Sequence, residues 1–123
     1  MEGSGSVMKA LLILNDAPYG SERTYNGLRL AGSLSRQANT QIKVFLMGDA
    51  VGCAKAGQKV PSGYYCVETM LKTAVRQGAA VGVCGSCLDA RAIREADLIE
   101  GAHRGSMDEL TAWTLEADKV LTF

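Results

Sequence analysis

The residues best suited to chemistry fall in one short stretch, Val83-Cys84-Gly85-Ser86-Cys87. It ends an apolar run, Ala79 to Cys84, and opens a segment of helical character that the pattern carries from Ser86 to about Glu95. Ser86 with Asp89 three residues on resembles a capping box. With Ser86 as the cap, Cys84 stands at a strand-to-helix junction and Cys87 in the first helical turn. Both sulfurs then lie near unpaired backbone N–H groups and the positive end of a helix dipole, which favour thiolate over thiol. The thiolate is the nucleophilic form, and Gly85 permits close backbone approach, leaving room for a persulfide, a mixed disulfide or a partner's tail.

Three chemistries compete for this C-x-x-C. A thioredoxin-like redox pair has this spacing at a helix start, but here the preceding element is the third strand of a sheet and no proline-bearing strand follows to complete such a site. Half of a zinc site requires a second pair, and Cys53 and Cys66 are 13 residues apart, so no metal is expected. Cysteine also packs as a small hydrophobe, the role expected of Cys66 between Tyr65 and Val67. Cys53, in a loop bearing Lys55 and Lys59, is expected to be an incidental exposed thiol. His103, the only histidine, sits in Gly-Ala-His-Arg-Gly, where it is either a base or ligand-orienting group or a plain loop residue.

The elements that must position these groups can be read from periodicity. Lys9 to Leu14 is a continuous apolar strand ending in turn residues. A helix is expected over about 22–37 and a second strand over about 41–47. Residues 52–63 read as an exposed, mobile loop of a length that is often functional. A helix over about 65–77 carries the cleanest stripe, Val67, Met70, Leu71, Ala74 and Val75, with Gly78 as its stop. After the third strand and the Cys-bearing helix, a short strand is expected over 97–100. Ser106-Met-Asp-Glu109 caps a last helix whose face carries Met107, Leu110, Trp113 and Ala117, and Lys119 to Phe123 closes as a strand.

Alternation of strand and helix implies a doubly covered parallel sheet in one domain over residues 8–123, with residues 1–7 as a flexible leader. Such sheets bind ligands at the carboxyl ends of their strands. That edge is expected to collect Asn15, Asp16, Gly48, Asp49, Cys84, Glu100 and His103, and the candidate ligand contacts beside Cys84 and Cys87 are Asp16, Asp49, Gly85, Ser86 and His103. Asp and Asn are also common turn formers. The first strand-to-helix turn, Asn15 to Ser21, has neither G-x-G-x-x-G nor G-x-x-x-x-G-K-[ST], so no nucleotide cofactor is expected.

The 123 residues carry 13 Lys and Arg against 13 Asp and Glu, and this zero net charge argues against a phosphate-neutralising nucleic-acid binder. The balance conceals a net +4 over residues 8–62 and −3 over 63–123, which is either a solvated surface or an aid to subunit assembly. No apolar run approaches the roughly 20 residues of a membrane span. The acidic, Gly/Ser-rich start is unlike a secretory signal, so a reducing cytoplasm and free thiols are expected.

Taken in order, Asn15-Asp-Ala-Pro, Leu28-Arg-Leu-Ala31, Val44-Phe-Leu-Met-Gly-Asp-Ala-Val51, the cysteine ending strand three, Gly105-Ser-Met-Asp-Glu-Leu and Ala117-Asp-Lys-Val-Leu-Thr-Phe123 resemble the DsrE/DsrF-like proteins. That family includes the sulfur-relay subunits of bacterial tRNA thiolation and of dissimilatory sulfur oxidation. The resemblance implies a three-layer α/β/α domain of flavodoxin-like architecture, with a five-stranded parallel sheet assembled as a homotrimer or homohexamer. It also implies a cysteine at the end of strand three that receives sulfane sulfur from a donor protein and passes it to an acceptor. Cys84 is at that position. Cys87 departs from the relay pattern and would either resolve a Cys84 persulfide to a disulfide, releasing sulfide, or pack. A non-catalytic ligand-binding or assembly module of the same fold, and a Cys84/Cys87 dithiol redox protein, are the alternatives.

Overall fold

The computed structural model describes residues 6–123; most of the leader, residues 1–5, lies outside them. Five parallel strands, β1 (Met8–Leu14), β2 (Thr40–Leu46), β3 (Ala80–Cys84), β4 (Ala102–Gly105) and β5 (Lys119–Thr122), form one sheet in the order β4-β3-β2-β1-β5. β1 and β2 are apolar because both their faces are covered: Leu11, Leu12, Leu14, Val44, Phe45 and Leu46 are all buried.

Helices α1 (Arg23–Ser35) and α2 (Val67–Arg76) connect β1 to β2 and β2 to β3 and pack on each other over one face. Stepping from β1 to β3 with right-handed crossovers requires that they share a side. Each turns small or apolar residues inward: Thr24, Gly27, Leu28 and Ala31 from α1, and Val67, Leu71 and Ala74 from α2. Gly78 follows α2 with φ +101°, the left-handed stop expected of it. The return from β4 to β5 carries α4 (Met107–Glu116) across the opposite face, where Trp113 meets Phe45 edge-to-face. Ser106 caps α4, its hydroxyl accepting the Glu109 N–H at 3.2 Å.

The structure corrects several expectations. Residues 48–54 form a 3₁₀ segment that buries Val51, Cys53 and Ala54, so the expected loop over 52–63 is exposed only beyond it. That remainder is pinned by the Glu68 carboxylate, which accepts the Gly57 and Gln58 N–H groups, and by the Gln58 side-chain amide, which donates to the carbonyls of Gly52, Cys53 and Lys55. The helix expected from Ser86 to about Glu95 is the short α3 (Gly85–Ala90). It stops because Ala92 takes a positive φ of 55°. No capping box forms at Ser86, since Cys84 is the residue preceding the helix and Ser86 lies within it.

The strand expected over 97–100 is not in the sheet. Leu98 and Ile99 are buried, but Leu98 makes an isolated antiparallel bridge with Lys55, and the Ile99 N–H bonds the Ala54 carbonyl at 2.8 Å. The fourth strand is the polar Ala-His-Arg-Gly instead, as suits a sheet edge. Between the two, Gly101 has φ +94°, and a Cβ there would lie 2.5 Å from Val75 Cγ1. Gly101→Ala therefore forces both backbone strain and a core clash. We expect a loss of about 2 kcal/mol or more in urea unfolding, with the slope unchanged.

Candidate functional site

Cys84 is the last residue of β3, and α3 begins at the next residue, so the thiol passes from ladder to helix with no intervening loop. The ladder locates it: Cys84 stands beside Gly105 of β4, while Val83 is flanked by Leu46 of β2 and Arg104 of β4. Only 8% of Cys84 is exposed. Its Sγ lies 3.4 Å from the Ser86 hydroxyl. The half-buried Cys87 Sγ accepts the backbone N–H of Gly48 at 3.2 Å, which ties α3 to the end of β2.

These surroundings split the two thiols. Burial pushes Cys84 up, but hydrogen bonds from the Cys87 thiol, the Ser86 hydroxyl and the N–H groups of Cys87 and Ser86 together outweigh it and hold the thiol below its ordinary value. Cys87 moves the other way. Burial raises it, and so does the neighbouring Cys84 sulfur, which needs the Cys87 proton as a hydrogen-bond donor; the Gly48 N–H and Arg91 only partly compensate. The arrangement sets one thiol that ionises more readily beside one that ionises less readily.

The remaining candidates divide. Asp49 reaches this site through Arg91: Asp49 Oδ1 accepts from Arg91 Nε and Nη2 at 3.1 and 2.7 Å, while Arg91 Nη1 donates to the Cys87 carbonyl at 3.1 Å. Gly85 is buried, because the guanidinium of Arg104 lies against it; a Cβ at Gly85 would be 2.8 Å from Arg104 Cζ. Asp16 serves the turn before α1, accepting from the Ser21 hydroxyl at 3.0 Å, with its carbonyl bound by Thr24. His103 is in β4 opposite Gly82, not in a loop at the strand ends. Its Nε2 is shared by the two Glu109 carboxylate oxygens at 2.8 and 2.7 Å, and its ring meets Trp113. Glu100 lies before β4 rather than after it, because the fourth strand starts at Ala102.

Two cysteine assignments reverse. Cys53 is fully buried, and burial pushes its thiol up to about 12. Cys66 is partly exposed at the start of α2, where the Thr69 N–H and hydroxyl, and then the Tyr19 hydroxyl and Glu68 N–H, outweigh burial and lower it. The sequence reading missed Arg91 and Arg104. Arg104 became visible only with the true fourth strand, because its strand register sets it beside the end of β3. Among the described residues, no group of three or more His, Cys, Asp or Glu is arranged to hold a metal ion, and no helix is long and apolar enough to cross a membrane.

A parallel five-stranded α/β sheet with a cysteine at the end of its third strand and a helix starting at the next residue defines a class, and comparison with known proteins gives it a name. The sequence profile of the DsrE/DsrF-like family matches residues 8–123, and the chain belongs to that family. Protein YchN of Escherichia coli (strain K12) is 44% identical over 118 residues, covering 95% of this chain and all of YchN. The uncharacterized protein MJ0989 of Methanocaldococcus jannaschii is 41% identical over 116 residues, covering 94% of this chain and all of MJ0989. The crystal structure of the E. coli ychN protein superposes with a TM-score of 0.90 over 95% of this chain and the whole of that one. MTH1491 of Methanobacterium thermoautotrophicum, 13% identical with a TM-score of 0.72 over 96% of this chain and the whole of that one, shares the fold.

The opposed thiols can be read by pH-dependent alkylation with iodoacetamide, mapped by peptide mass. The thiolate reacts, so Cys84 labelling should rise at lower pH than that of a free thiol near 8.5, and Cys87 labelling at higher pH. Cys87→Ala or Ser86→Ala removes a hydrogen bond to the Cys84 thiolate and should move the Cys84 inflection upward. An unchanged or lowered inflection in both variants contradicts the account.

Proposed function

We propose that the protein is a persulfide carrier that works through Cys84. The observation that supports this reading most is the position of the Cys84 sulfur, at the end of β3 where α3 begins at the next residue, 3.4 Å from the Ser86 hydroxyl; the lowering of its thiol and the raising of Cys87 agree with it. The Cys84 thiolate attacks the outer sulfur of a donor persulfide, R–S–SH. The new bond joins Cys84 Sγ to that sulfur, the donor's S–S bond breaks, and the electron pair leaves with the donor thiolate; nothing is oxidised or reduced overall. Delivery is the same exchange in reverse, with an acceptor thiolate attacking the terminal sulfur and Cys84 leaving. A leaving thiol of low pKa is also a faster leaving group, so the hydrogen bonds that activate Cys84 for loading favour unloading.

In this reading Cys87 is the local proton donor. Its raised thiol stays protonated while Cys84 is charged, so it stabilises the Cys84 anion without competing for donor. The placement of Cys87 in the helix that starts directly after Cys84 supports a second reading, in which Cys87 attacks the Cys84 persulfide at Sγ, forms a Cys84–Cys87 disulfide and releases HS⁻; a dithiol reductant must then restore both thiols. Family membership sets the fold more firmly than the activity, because one fold hosts many sites.

We further propose that the subunits self-associate. α4 crosses its face of the sheet leaving Met107 60% and Leu115 82% exposed, and Val120 of the edge strand β5 is 41% exposed.

Intact-mass measurement after incubation with a sulfane donor tests the carrier. Wild type should gain the mass of one sulfur atom, reversible by a reducing thiol. Cys84→Ser should gain none, and Cys87→Ser should keep the gain. Wild type losing two hydrogens with no added sulfur, through Cys84 and Cys87, would support the sulfide-releasing reading instead. Equal gain in Cys84→Ser would remove Cys84 from the mechanism.

A further inference from the structure

Cys87 is held by a closed ring of contacts that begins and ends on that residue. The Gly48 N–H donates to its Sγ at 3.2 Å. Asp49, the next residue, accepts the Arg91 guanidinium on Oδ1, from Nε at 3.1 Å and from Nη2 at 2.7 Å. The third guanidinium nitrogen, Nη1, donates back to the Cys87 carbonyl at 3.1 Å. Arg91 can close the ring because it stands four residues after Cys87, about one helical turn, at the end of α3, where a basic side chain readily bonds a terminal carbonyl.

The backbone presents the N–H at this point. Gly48 takes φ +54°, in the left-handed region, as the chain leaves β2 and enters the 3₁₀ segment. On the strand side the turn is tied to β1, with the Met47 N–H on the Leu14 carbonyl at 3.0 Å. On the other side it is fastened to α3 through Arg91. As an ion pair this contact adds little to stability, since the Asp49 side chain is 68% exposed and that of Arg91 35%. Its importance is one of position. The guanidinium directs its three nitrogens at two points, the carboxylate next to Gly48 and the carbonyl of Cys87, so it spans the same gap that the N–H···S bond crosses.

We propose that Asp49 and Arg91 are positioning residues for the second thiol, and that their pair keeps the Gly48 N–H on the Cys87 sulfur. A backbone N–H that stays aimed at a sulfur stabilises its anion, so the pair sets how readily Cys87 acts as a nucleophile. The consequence for sulfur transfer rests on the carrier reading and its sulfide-releasing branch. Attack of Cys87 on a Cys84 persulfide forms the Cys84–Cys87 bond, breaks the bond to the terminal sulfur and expels HS⁻, and it requires the Cys87 anion. Loosening the pair therefore lengthens the life of the Cys84 persulfide.

The charged and titratable groups around this sulfur give the test its sign. Cys84 on β3 opposes ionisation of Cys87 and Arg91 favours it, while Asp49, an anion on the 3₁₀ segment, opposes it if it acts by charge alone. Asp49→Ala separates the two roles. Alkylation of Cys87 by neutral iodoacetamide, followed over pH, should shift to higher pH in this variant, with the rate below the inflection lowered about threefold, the scale of one weakened hydrogen bond to an anion. Removing a bare negative charge shifts it to lower pH instead, so a lowered or unchanged inflection overturns the proposal. Arg91→Lys keeps the charge and loses the fork, and should shift upward as Arg91→Gln does; wild-type behaviour in Arg91→Lys overturns the positioning role of Arg91. Amide exchange read by NMR should quicken at Gly48 in Asp49→Ala and Arg91→Gln and stay unchanged at Val44 within β2. Undiminished protection of Gly48 overturns the proposal even where the titration moves. These readouts need no sulfur donor. Sulfur uptake by intact mass on the same preparations reports separately on the carrier reading, and its absence in wild type overturns that reading while leaving the assignment of Asp49 and Arg91 in place.

Discussion

The pairing of β3 between β2 and β4 is the constraint on which the site rests. Lys43 to Leu46 pair with Ala80 to Val83 on one side, and Ala102 to Gly105 pair with Val81 to Cys84 on the other. Because the β4 ladder holds as far as Cys84 and the helix begins at Gly85, the thiol has no linker through which to move. The amides of Ser86 and Cys87 are therefore aimed at it by the fold rather than by side-chain choice, and the cost of orienting them is met by the sheet. The Gly48 N–H adds a second anchor, since its bond to Cys87 fixes α3 against the segment that follows β2.

Within that frame the electrostatics are local. A chain of zero net charge offers no global field to stabilise an anion. Burial alone would leave Cys84 inert, as it does Cys53, whose thiol lacks comparable donors and rises to about 12. The difference between the two buried cysteines is one of hydrogen bonds. Cys84 has donors from two amides, a hydroxyl and a thiol, and the last of these ties its charge to the protonation of Cys87. The pair titrates as a unit, and lowering one member raises the other.

The sequence made the architecture legible wherever burial and periodicity coincide. β1, β2, α1 and α2 read correctly because residues such as Leu12, Val44, Leu71 and Ala74 are inside for the whole length of their elements. The reading failed where the two separate. Leu98 and Ile99 are apolar and buried but fill a gap beside the 3₁₀ segment rather than pairing in the sheet. The true edge strand has a single partner strand and needs little apolar surface, so Ala-His-Arg-Gly carried no signal. That one displacement moved His103 from an expected loop into the sheet and hid Arg104. The exchange of roles between Cys53 and Cys66 has a related origin. Glycines and a lysine around Cys53 suggested a loop, whereas the small residues Ala50, Gly52 and Ala54 let a 3₁₀ turn press tightly on the sheet.

The two faces of the sheet divide the work. α1 and α2 close one face with apolar packing, whereas the other face, beneath α4, holds the His103–Glu109 pair and the Lys43–Glu116 ion pair beside Trp113. Glu109 fits there because Gly82 and Gly105 leave the floor open, as a Cβ at either would meet its carboxylate at 2.9 or 2.5 Å. The only histidine is thus engaged in bracing α4 on β3 and β4, the strands that hold Cys84. The histidine contributes through the rigidity of the ladder, which keeps Cys84 beside its donors.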